Sequence, residues 1–94
     1  MTSTAITQVT FHLNTDDSES FSLPISPEML FQQLQASLDA PLLVFQLADQ
    51  TVCIKTDAIV KIEIDPPCSG ITGSFLFANS ERVTAMTRGN WRQA

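Results

Sequence analysis

The chain has 94 residues, of which 44% are apolar and only 16% are Asp, Glu, Lys or Arg, and its formal net charge is −5. That length makes one domain, residues 1–94, with a thin core; the apolar fraction excludes a disordered tail, and three glycines exclude a collagen. The charged share lies well below the roughly 25% of an average soluble domain, so part of the surface is expected to be hidden in a homo-oligomer.

The first element in chain order is a β-hairpin, with Val9, Phe11 and Leu13 alternating on one arm and Phe21, Leu23 and Ile25 on the other. Residues 14–20 between them include Asp16, Asp17 and Glu19, carboxylates that suit a hard cation. They lack the glycine and distal glutamate of an EF-hand loop and sit where a turn is required, so they are expected to make the turn, and no metal is expected. His12 alternates outward from Phe11 and Leu13 and has no recognisable Ser, Cys or acid partner, which leaves it on a solvated or partner-facing side.

A helix follows. Ser26 caps it, Pro27 suits the first position, Glu28 complements the positive end of the dipole, and Leu30, Leu34 and Leu38 recur at four-residue spacing with Phe31 beside them. The Asp39-Ala40-Pro41 segment ends it. Its other face is Gln32, Gln33 and Gln35, neutral and therefore easier to bury against a subunit than a charged face, although solvation is the commoner state.

The second hairpin runs through Leu43, Phe45 and Leu47, turns at residues 48–50, and returns through Val52 and Ile54. Leu42 and Val44 make the opposite face of its first strand apolar as well, so this strand is expected to be covered on both sides and to provide an oligomer interface. From Ala40 to Phe45 runs the longest apolar stretch, far too short to span a bilayer, and Met1 to Ala5 lacks the basic start of a signal peptide. No membrane partner and a cytoplasmic location are therefore expected. Cys53 is expected to pack as a small apolar residue; with Cys68 and the single histidine it falls short of a disulfide framework or a zinc site.

Ala58, Val60, Ile62 and Ile64 alternate with Lys61 and Glu63 in a half-buried strand, which the Asp65-Pro66-Pro67-Cys68-Ser69-Gly70 segment stops. Cys68 would be a reactive thiol if a base lowered its pKa, but none is near in sequence. A third hairpin is expected from Phe75 and Phe77, a turn over residues 78–81, then Val83 and Ala85. No nucleophile elbow, phosphate-binding loop or catalytic carboxylate pair is present in the sequence, so a non-enzymatic protein without cofactors is expected.

Charge is segregated along the chain. Residues 1–54 hold six acids and no base, whereas residues 55–94 hold four acids and all five bases, Lys55, Lys61, Arg82, Arg88 and Arg92. Such a pattern suits a face that meets the opposite face of a neighbour, or bases gathered into one positive site; chance clustering among so few charges accounts for it equally well. The C-terminal strand runs into Arg88-Gly89-Asn90, in which glycine permits a sharp turn and the guanidinium plane can stack on a base or contact phosphate.

A strand ending in Arg88-Gly89-Asn90, preceded by helix, hairpin, strand, loop and hairpin, resembles the Sm-like small β-barrel family, with the likeness in layout covering about residues 26–90. The resemblance implies a strongly bent antiparallel barrel of the Sm-like or SH3-like kind, mainly β with one helix, to which residues 9–25 add an N-terminal hairpin. The alternative is an α+β roll with one helix on an antiparallel sheet. It further implies a homo-oligomeric ring binding single-stranded RNA through a loop of Arg88, Gly89 and Asn90, with Lys61 standing where the family's other base-binding loop has asparagine. The net charge of −5 opposes nucleic-acid binding, and the alternative function is a protein-only interaction module in which Leu42 and Val44 make the contact.

Overall fold

The computed structural model describes residues 6–83, which form five strands, one α-helix and a single 3₁₀ turn. Strand β1 (Thr7–Leu13) pairs antiparallel with β2 (Ser18–Leu23) on one side and with β5 (Ile59–Asp65) on the other, giving the order β2-β1-β5. Strands β3 (Leu42–Gln46) and β4 (Thr51–Lys55) form a separate antiparallel pair. The protein is thus mainly β with one helix. Among the described residues the two sheets share no ladder and no barrel closes. The first hairpin, expected as an addition to a barrel, instead supplies the middle strand of the larger sheet.

Alternation explains the core. Thr7, Val9 and Phe11 point inward from β1 and are fully buried, and Phe21 meets them from β2. The smaller sheet packs on this inner face through Phe45, whose ring stacks on Phe21 at 4.2 Å and lies 5.4 Å from Phe11. Aromatic pairs of this kind add about 0.5–1.5 kcal/mol beyond the burial of their area. Leu30 and Ile54 complete the buried cluster. The turn between β1 and β2 puts Asp16 at φ 70°, with the Leu13 amide donating to the Asp17 carbonyl at 2.8 Å, so the acidic stretch is a hairpin turn.

Helix α1 (Pro27–Ala36) begins as expected: Pro27 is in its first turn and the Ser26 hydroxyl accepts from the Met29 amide at 3.2 Å. It ends two residues before Leu38. The Ser37 hydroxyl donates to the Gln33 carbonyl at 2.7 Å and the following amides tighten into turns, leaving Leu38 beyond the helix and exposed instead of on its apolar stripe. Gln32, Gln33 and Gln35 face solvent.

Three further expectations are corrected. Opposite β1 the register of β5 shifts: His12 pairs with Lys61 but Leu13 pairs with Ile59, so Val60 is the extra residue of a bulge. The bulge turns Ile59 toward the core and leaves Val60 66% exposed, reversing the faces read from simple alternation at these two residues, while Ile62 and Ile64 keep the inward side. Cys53 is exposed, because Val52 and Ile54 take the inward positions of β4. Residues 66–83 contain no strand, so the first arm of the third hairpin is absent; Gly70 and Gly73 adopt positive φ and the chain turns from Gly73 to Leu76. Ala85, on its second arm, lies outside the described residues.

Candidate interaction surface

Strand β3 has two apolar faces, and among the described residues only one of them is covered. Leu43 and Phe45 pack against the core, whereas Leu42 and Val44 stand 43% and 59% exposed on the outer face. Coverage of that outer face, expected from the sequence, is not provided within the described residues. Register places Leu42 opposite Lys55, Val44 opposite Cys53 and Gln46 opposite Thr51. The face is therefore an apolar centre of Leu42, Val44 and the Cys53 thiol. It is bordered by one ammonium group and by the Thr51 hydroxyl, which donates to Gln46 Oε1 at 2.8 Å. Among the described residues β3 and β4 pair only with each other, so both outer edges of this ribbon are open.

A second apolar feature adjoins the core. A groove of about 510 Å³ runs between the end of α1 and β5, with Leu34, Leu43, Ile59 and Ile62 in its lining. Leu38 and Val60, the two residues displaced outward by the early helix end and the bulge, also line it.

The polar face of the larger sheet gathers charge around one carboxylate. Glu63 accepts from His12 Nε2 at 2.8 Å and is approached by Lys61 Nζ and an Arg82 guanidinium nitrogen, each at 3.5 Å. The hydrogen bond from His12, assisted by the Lys61 charge, holds the Glu63 carboxyl below its ordinary value. His12 thus has an acid partner that adjacency in the sequence hides; the β1-β5 pairing brings together residues 51 positions apart. Lys61 and Arg82 share this carboxylate, while Lys55 belongs to the outer face of the other sheet, so the three described bases do not form one positive site. Arg88, Gly89 and Asn90 lie outside the described residues.

The loop after β5 is fastened to the start of α1. Glu28 Oε2 accepts from the Ser69 amide at 2.8 Å and from the Ser69 hydroxyl at 2.9 Å, and Cys68 Sγ donates to the Pro27 carbonyl at 3.4 Å. Burial, reinforced by the Glu28 carboxylate, raises the Cys68 pKa. A thiol held protonated in this way is the reverse of the activated nucleophile considered for that loop.

Comparison with protein-family models, with curated proteins and with solved structures finds no match for this chain.

Proposed function

We propose that this protein is a non-enzymatic assembly module that associates with further copies of itself through the outer face of β3 and β4. The observation that carries this reading is the pair Leu42 and Val44, exposed on a two-stranded ribbon whose edges are open among the described residues. An isolated ribbon of this size is marginal, and among the described residues this one gains cover on its inner face only. The outer face has the low charge and apolar centre of an interface core, in keeping with the sparse charge of the whole chain. The net charge of −5 opposes nucleic-acid binding and Lys61 is engaged by Glu63, so the proposal takes the protein-only form.

Cys53 is a built-in reporter, since it stands directly across from Val44. If the face is a contact, maleimide labelling of Cys53, distinguished from Cys68 by peptide mapping, slows severalfold as the protein is raised from about 1 μM to about 100 μM. The Leu42→Ser/Val44→Ser variant loses that dependence. A wild-type rate independent of concentration, together with monomeric light scattering, would sink the reading.

A further inference from the structure

The groove of about 510 Å³ between the end of α1 and β5 lies along an open strand edge. Lys61 and Ile62, neighbours on β5, both line it. Successive residues of a strand point to opposite faces, so a groove touched by both runs beside the strand and not over one face. Among the described residues β5 pairs with β1 alone and stands last in the order β2-β1-β5, which leaves that edge without a partner. Leu38 and Val60, at the rim, are 68% and 66% exposed.

The described chain ends close by. Just before Val83, the Arg82 guanidinium reaches Glu63 at 3.5 Å and lines a hollow with Thr10 and Ile64. Glu63 alternates with the inward-facing Ile62 and Ile64, so it stands on the outer face of the larger sheet, one strand edge away from the groove. From Glu63 to Ile59, at the far end of the lining, is four residues, or about 13 Å of strand. Trp91 stands eight residues beyond Val83, a reach of about 26 Å when extended. The other bare apolar surfaces are less accessible to it: Val44 points away from the larger sheet and lies across the core from Glu63. Phe75 and Phe77 are themselves exposed and take no part in the groove.

We propose that the groove is a docking site for residues 84–94 of the same chain, with Trp91 seated against Leu38 and Val60. What selects this occupant is the tether. A segment joined to the rim by a few residues meets the groove at an effective concentration on the order of millimolar, so a second copy present at micromolar concentration competes poorly for it. Trp91 supplies a large apolar side chain to a site whose floor includes Leu34, Leu43 and Ile59. Charge is compatible with the contact. Asp57 is the one carboxylate in the lining and Lys61, the one base, is engaged by Glu63, while residues 84–94 hold two arginines and no acid. This site is distinct from the outer face of β3 and β4, and the inference does not depend on self-association through that face.

Trp91 is the only tryptophan and the chain has no tyrosine, so its fluorescence reads this contact directly. In the full chain at about 1 μM, where the tether outcompetes a second copy, Trp91 emission is expected to be blue-shifted and acrylamide quenching severalfold weaker than in the urea-unfolded chain. Leu38→Lys/Val60→Lys, altered only at exposed positions, is expected to return emission and quenching to nearly the unfolded values while circular dichroism stays that of the wild type. Leu38→Ser/Val60→Ser serves if the lysine pair does not fold. Val44→Lys is expected to leave Trp91 unchanged. A wild-type Trp91 quenched as readily as in urea overturns the proposal. So does protection that survives the loss of Leu38 and Val60, or protection removed by Val44→Lys, which places Trp91 elsewhere. Protection that appears only as the protein is raised toward about 100 μM assigns the groove to a second copy and overturns the same-chain contact.

Discussion

Phenylalanine alternates with other residues in two parts of this chain, with opposite results. Up to Asp65, Phe11, Phe21 and Phe45 come from three different strands and bury one another in a single cluster. From residue 66 to 83, Phe75 and Phe77 keep the same spacing but belong to no strand and face outward. Alternation in a sequence specifies that one side needs cover; it does not specify that the same chain provides it. The first part covers its inner faces because its hairpins lie on one another, while Leu42 and Val44 on the outer face of β3 stay exposed. The second has the pattern and no partner surface of its own among the described residues.

The sharpest way to break this contrast is to truncate one ring in each part. Phe11→Ala removes a fully buried ring and is expected to lower the unfolding free energy by about 3–5 kcal/mol, a large share of the roughly 5–14 kcal/mol available to a domain of this length. Phe77→Ala in dilute protein is expected to change it by less than about 0.5 kcal/mol. Urea unfolding at low concentration measures both. Equal losses would mean that residues 75–77 belong to the core and that the contrast is false.

A smaller effect is expected where the first part uses a buried polar contact. The Thr7 side chain is fully buried and donates to the Ile25 carbonyl at 2.6 Å, fixing the chain after β2 to the start of β1. Thr7→Val keeps the shape and leaves that carbonyl without its partner, at a cost of about 1–2 kcal/mol. A thermal unfolding midpoint unchanged from wild type would show that Ile25 finds another donor.

Both hairpins and the helix start were legible because their signals are local: alternation on either side of polar turns, and the Ser26-Pro27-Glu28 cap. The misreadings share a different cause. Spacing alone places Leu38 on the helix, but a serine hydroxyl bonding back to Gln33 ends the helix first. Parity alone places Val60 inward, but one extra residue opposite β1 reverses parity on one side of the bulge. The Leu42 and Val44 face was visible as a two-sided apolar strand, whereas its lack of cover depends on sheet order, to which no single segment testifies. Sheet order likewise joins His12 to Glu63 and leaves the two sheets without a common ladder.

The mildest expected effect concerns the boundary between the two parts, where Glu28 holds Ser69. The carboxyl of Glu28 is lowered from an ordinary value of 4.5, chiefly by the hydrogen bond from the Ser69 amide and next by that from its hydroxyl. A carboxyl whose folded value is depressed contributes stability above its unfolded value and loses it as pH falls through the folded one. The latch is therefore complete at neutral pH and opens on acidification below 4.5. An NMR titration should show the Ser69 amide resonance moving with a midpoint under that value, and a midpoint at or above it would contradict the latch. The same carboxylate also raises the Cys68 pKa, though less than burial does. Glu28→Gln is thus expected to make Cys68 modestly more reactive toward a maleimide at alkaline pH while burial still keeps it slower than an unstructured cysteine. A thiol rate unaltered by Glu28→Gln would show that the charge does not reach across the boundary.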